Sequence, residues 1–316
     1  MTTIHTPLSR RSLLVSLVGA PVLATFVAAC GDPDAEPASS PTTGGPAPST
    51  APSAPDTTTP STDALPIDHL TGADDVILRY GREGGFVPVG VSFVNQPSLL
   101  ISGDGRVFAP GVTTMEYPGP LLLPMAVRSI TEAGIQTLLA AADAAGLMAS
   151  PPPDYTAEAN VTDMPDTVVT ISTGGGTYRH SAYALGFPTD EQGNPADETT
   201  PARVALLGFT RLLDDLTTTV GAAELGDETI FEPAEYRLQA RAVTEADLEG
   251  MDPAPTIVDW PASTGLDLAG AAECARLSAP AAGSVFADAD TATYFRQGDA
   301  LYSIAVAGVL PGGPVC

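Results

Sequence analysis

Few residues in this chain have side chains that could carry chemistry. The three histidines are His5, His69 and His180. The three cysteines are Cys30, Cys274 and Cys316, and all thirteen basic residues are arginine. With no lysine, the chain has no P-loop lysine, no Schiff-base lysine and no serine–lysine dyad. His180 stands in Tyr178-Arg179-His180-Ser181-Ala182-Tyr183, where alternation puts it on one face of a strand. A serine hydrolase could use such a histidine as a base, but the G-x-S-x-G elbow is missing. A strand-face histidine with a hydrogen-bond partner is the simpler reading.

Gly174-Gly175-Gly176 could be taken for a phosphate loop. Phosphate cradles open a helix N-terminus, whereas these glycines precede a strand-like run, so a hairpin turn is expected. Asp190, Glu191, Asn194, Asp197 and Glu198 share one loop, and Asp288 and Asp290 flank a turn. Oxygen-rich loops can hold calcium, but the EF-hand spacing is absent, so a solvated acidic loop is expected and no metal or cofactor is implied. Trp260 is the single tryptophan, which disfavours the aromatic-walled cleft of a sugar-cleaving enzyme.

The elements around these residues define the fold class. Val76–Tyr80 reads as a strand, Phe86–Phe93 as an edge or bulged strand around Pro88, and Leu99–Phe108 as a hairpin turning at Asp104-Gly105. A helix is expected near Ser129–Ala145, capped by Ser129 or Thr131, with Ile135, Leu138, Leu139 and Ala142 buried and Gly146 as its stop. Thr167–Ser172 and Thr177–Leu185 form a second hairpin. Thr200-Pro201 opens a helix whose apolar positions are Leu206, Phe209, Leu213 and Leu216. Beyond a polar bridge, Tyr236–Ala240 and Thr256–Val258 read as strands and Leu266–Leu277 as an alanine-rich helix. Ser284–Ala287, Thr291–Arg296 and Leu301–Ala307 read as an antiparallel set with a turn at Gln297-Gly298-Asp299. Strands that arrive in hairpins imply an α+β class with antiparallel sheets, helices on one face, and two subdomains, 65–225 and 226–316.

The first 64 residues read differently. Arg10 and Arg11 precede an apolar run, Leu13 to Ala28, that is too short for a spanning helix of about 20 residues. It ends in Val27-Ala28-Ala29-Cys30, which resembles the lipobox of bacterial lipoproteins. The resemblance implies a signal peptide over 1–29 and a diacylglyceryl group on Cys30 as the mature N-terminus. Ser9-Arg10-Arg11-Ser12-Leu13-Leu14 also resembles a twin-arginine export motif. With the lysine-free composition, this resembles the lipoproteins of high-GC Gram-positive bacteria, placing the domain on the outer face of the cell membrane. The globular part resembles secreted lipoproteins of that type in plan only, with no motif that transfers a function.

Gly31–Ala64 contains eight prolines and twelve serines or threonines, with no aromatic residue. That composition predicts a disordered tether over 30–64, with a reach on the order of 100 Å when fully stretched. The chain carries 38 acids against 13 arginines, a net charge of −25. Nucleic acid is therefore excluded as a partner, and anionic lipid surfaces repel the domain within a Debye length of about 8 Å. With Cys30 lipidated, Cys274 and Cys316 remain as a pair for one extracytoplasmic disulfide, expected to join the last helix to the terminal residue. It would close a loop of about 43 residues, worth about 4 kcal/mol on the chain-entropy model. The reading is a lipid-anchored module that binds another cell-envelope component. The alternative is an extracytoplasmic hydrolase using carboxylates or His180.

Overall fold

Hairpin turns and longer cross-over connections sort twelve strands among the described residues into two sheets. The computed structural model describes residues 65–88, 90–156, 161–187, 197–198, 200–314 and 316. In chain order the elements begin with β1 (Val76–Glu83), α1 (Val91–Val94), β2 (Leu99–Ser102), β3 (Arg106–Pro110) and β4 (Met125–Ser129). There follow α2 (Glu132–Ala144), β5 (Asp166–Thr173), β6 (Gly176–Tyr183), α3 (Pro201–Asp214), α4 (Leu216–Val220) and β7 (Thr229–Ile230). Then come β8 (Glu235–Val243), α5 (Glu245–Leu248), β9 (Thr256–Asp259), β10 (Ala275–Ser278), α6 (Ala279–Phe286), β11 (Thr293–Gln297) and β12 (Ala300–Gly308). The class is α+β, as the hairpin pattern predicts.

Seven strands make the first sheet, in the order β6-β5-β1-β2-β3-β4-β7, and every pairing is antiparallel. One face is covered by α2, α3 and α4. Ile135, Leu138, Leu139, Leu206, Phe209 and Leu213 meet Leu78, Tyr80, Ile101, Val169 and Ile171 in a single core. Thr131, not Ser129, caps α2 by accepting from the Gly134 N–H at 3.2 Å. At the other end Gly146 takes φ +74°, and Leu147 N donates to Ala142 O while Gly146 N donates to Asp143 O. This is a Schellman stop, and it needs a residue that tolerates the left-handed region. Thr200 caps α3 and Pro201 sits in its first turn. The helix ends before Leu216, because Asp215 leaves helical geometry and its carboxylate caps α4 through Thr218 N.

The antiparallel order puts the β1–β2 and β3–β4 loops at one end of the sheet, with the start of β5 and the end of β6. The chain enters at the opposite end. There Gly174 N donates to Asp68 O at 2.6 Å, and Ile67 exchanges two hydrogen bonds with the Gln136 side chain.

The second sheet has the order β10-β8-β12-β11-β9. Its edge pair, β9 with β11, is parallel. Leu238, Ala240, Ile304 and Val306 point into its core, where Trp260 and Phe286 pack edge-on or tilted around Phe295.

Three expectations are corrected. Phe86–Phe93 is not a strand: Gly84 and Gly85, both at positive φ, turn the chain off β1, and only the short α1 follows. Leu266–Leu277 is not a helix. Asp267 holds a brief 3-10 turn at Ala269–Ala271, and the chain then extends into β10 along the free edge of β8. Ser284–Ala287 is not a strand, because Pro280 in a first turn opens α6 through the alanine-rich run that follows.

Candidate functional site

The residues picked out for chemistry are distributed very differently from one another. His180 is wholly buried on β6. Its Nε2 lies 2.8 Å from Leu147 O, a carbonyl that can only accept, so Nε2 carries the proton. The Tyr155 hydroxyl, 2.8 Å from Nδ1, then donates to that nitrogen. Burial lowers the imidazole pKa, outweighing the carbonyl hydrogen bond. Burial also pushes Tyr155 up to about 12. Both ring nitrogens are occupied and no solvent reaches the ring. His180 is thus a neutral joint between β6 and the turn after α2.

Glu198 corrects the picture of a solvated acidic loop. Its side chain is 4% exposed and forms a two-pronged ion pair with Arg203, whose side chain is 3% exposed. Its remaining acceptor capacity takes the Gly186 N–H at 2.9 Å. Burial pushes this carboxyl up, but the Arg203 hydrogen bonds, the Gly186 N–H and the Arg203 charge together hold it below the usual range. Asp190, Glu191 and Asn194 lie outside the described residues, and Asp197 is exposed. Asp290 spends its carboxylate on Ala292 N and the Thr293 hydroxyl, within its own turn. Among the described residues, no group of three or more His, Cys, Asp or Glu side chains is placed to hold a metal ion.

Gly174 and Gly175 form the β5–β6 turn, as expected. His69 belongs to the folded part: Nε2 faces Glu132 at 3.1 Å and Nδ1 faces Leu70 O at 2.8 Å. Trp260 is buried and donates Nε1–H to Leu266 O at 3.1 Å, so it offers no stacking wall. Cys274 and Cys316 form the disulfide, with Cα atoms 5.3 Å apart. Cys274 precedes β10 and is not on a helix, so the bridge holds residue 316 against a sheet edge. Cys30 lies outside the described residues.

One surface feature was not anticipated. Most of the large apolar side chains exposed to solvent sit at one end of the seven-stranded sheet, opposite to where the chain enters. Phe86 is 86% exposed, Val112 95%, Met115 100% and Tyr117 66%. Leu123, Phe187 and Ile230 extend the rim. Its loops are tied together: Gln96 donates to Leu123 O at 3.1 Å, and Phe86 N donates to Asp163 O at 3.2 Å. Arg82 stacks over Phe187, 5.3 Å from the ring centroid. Exposed apolar side chains gathered at one end of a sheet are the kind of surface that marks interaction sites. Only the Phe86–Phe93 run hinted at it in the sequence, and that run looked like a strand.

No helix among the described residues is long and apolar enough to cross a membrane. No family model, no curated protein and no solved structure matches the chain.

Proposed function

We propose that the chain is a lipid-anchored extracytoplasmic protein of the cell envelope, held through Cys30, whose folded part binds another envelope protein through the apolar rim. The anchor rests on Val27-Ala28-Ala29-Cys30 behind an arginine-led apolar run, followed by a segment too polar and proline-rich to bury a core. The binding role rests on the rim. Phe86, Met115 and Tyr117 are held in water at a cost that no internal packing explains. The engagement of His180 and of Glu198 by internal partners is less favourable to the alternative, a hydrolase using carboxylates or His180.

The test is site-specific photo-crosslinking from Met115 and from Phe86 in cells expressing the full chain. A partner captured from both rim positions, and not from exposed Leu212 on α3, supports the reading. Equal capture at all three positions, or none, overturns it.

A further inference from the structure

A second feature lies on the face of the five-stranded sheet that looks away from its core. Strands alternate, so with Leu238, Ala240 and Ile304 buried, Gln239, Arg241, Ser303 and Ala305 project from the other face. The register sets Arg241 beside Ser303 and Gln239 beside Ala305. Two segments of the first sheet's loops lie over them. At the start of α1, a Cβ on Gly90 would stand 3.4 Å from the Ala305 Cβ. The segment around Leu121 is clipped down by Leu121 N donating to Ala289 O at 3.0 Å and Thr291 N donating to Gly119 O at 2.9 Å. Between them is a cleft of about 370 Å³ with two unlike walls. Val91, Val94 and Leu121 supply the apolar one; Gln239, Arg241 and Ser303 supply the polar one.

The polar wall is open to solvent, with Arg241 exposed and Gln239 and Ser303 half-buried. Among the described residues, the side chains of Gln239, Arg241 and Ser303 have no hydrogen-bond partner, and no carboxylate lies within ion-pair distance of Arg241. Asp247 is close enough to feel the Arg241 charge, but it is committed to capping α5, taking Thr244 N at 2.8 Å and the Thr244 hydroxyl at 2.7 Å. The next arginine on the same face, Arg237, adds positive charge; it donates to Phe93 O and stacks on the Phe93 ring at 4.5 Å. In a chain with 38 acids against 13 arginines, an unpaired guanidinium beside two unpaired neutral donors is a notable concentration of anion-seeking groups.

We propose that this cleft binds a small monocarboxylate with a short apolar body. The carboxylate accepts a forked pair of hydrogen bonds from Arg241 and further ones from the Gln239 amide and the Ser303 hydroxyl. The apolar body lies against Val91, Val94 and Leu121. The cleft volume falls in the range of small-molecule sites, roughly 300–1,000 Å³. This goes beyond the partner-binding proposal and does not depend on the anchor; Leu123 borders both the cleft and the rim, but Phe86, Met115 and Tyr117 do not line the cleft.

The test is titration calorimetry on the full chain carrying Cys30→Ala, so that no detergent competes, with octanoate, octan-1-ol and acetate as probes. Octanoate is expected to bind with one site per chain. Octanol, which lacks the charge, and acetate, which lacks the apolar body, should each bind about tenfold or more weaker. Arg241→Met should weaken octanoate by about tenfold or more while leaving the melting temperature unchanged. Ser303→Ala removes only a hydroxyl; if Arg241→Met does not fold, this variant decides, with several-fold weaker binding expected. Absence of octanoate binding at millimolar concentration, equal affinity for octanol, or undiminished binding in the folded variants would overturn the proposal.

Discussion

Arg203 holds Glu198 through two parallel hydrogen bonds, Nε to Oε2 at 2.6 Å and Nη2 to Oε1 at 2.8 Å. The same guanidinium donates to Tyr155 O and Tyr183 O at 3.1 Å. One side chain therefore fastens the first turn of α3 to the end of β6 and to the segment carrying Tyr155, whose hydroxyl in turn holds His180. The groups that looked most capable of chemistry form a continuous internal brace.

Breaking this pair from one side should be costly. Glu198→Ala strands a buried guanidinium and is expected to lower stability by about 3–5 kcal/mol. The double variant Glu198→Ala with Arg203→Met should recover much of that loss, because no unpaired charge remains. Urea unfolding of the wild type, the two single variants and the double variant checks both; additive losses would show that the pair is not coupled.

The two brace groups titrate in separate windows. Glu198 sits below its unfolded value of about 4.3, so its stabilisation is complete above that pH and is lost as pH falls through the folded value. His180 is depressed below about 6.5 by burial, so the unfolded chain takes up the proton first. Stability should therefore start to fall below about pH 6.5 and continue falling until the folded His180 itself protonates. His180→Phe should flatten the upper window and leave the acidic one intact, as read by melting temperature against pH.

Tyr155→Phe keeps the ring and removes the donor to His180 Nδ1. A buried acceptor left unmatched costs about 1–3 kcal/mol, so a loss of that size is expected in chemical denaturation.

Reduction, or Cys274→Ser, reopens the loop closed by the disulfide, whose half-cystines are 42 residues apart. The expected loss is about 4 kcal/mol on the chain-entropy model. The sole tryptophan, Trp260, lies in the core of the same sheet and reports the transition by fluorescence.

If Cys30 carries the anchor, Cys30→Ala should move the protein from the membrane fraction to the soluble one. Unchanged fractionation, or an intact mass with no added lipid, would remove the anchor from the account.

Features encoded within a few residues were legible in the sequence. The turns at Asp104-Gly105 and Gly174-Gly175-Gly176, the Thr200-Pro201 cap and the α2 stripe each carry their own geometry. The pairing of Cys274 with Cys316 followed from counting. What failed depends on distant context. The alanine-rich stretch before Leu277 has helical propensity but is drawn into an edge strand along β8, while Ser284–Ala287 looked like a strand until Pro280 is placed in the first turn of α6. Nothing near Glu198 announces a buried ion pair, because the carbonyls completing it come from Tyr155 and Tyr183. The rim was hidden for the same reason. Met115 and Tyr117 lie on the β3–β4 loop, which only the sheet order brings to the same end of the sheet as Phe86.

If Cys30 anchors the chain and the rim holds a partner, the load would pass between the Asp68–Gly174 end of the seven-stranded sheet and the opposite end, along the strands. Interstrand hydrogen bonds lie across that direction, so the ladders on either side of β1 would be sheared as sets instead of peeled rung by rung. Under such a load the sheet would give way only when a whole ladder failed at once.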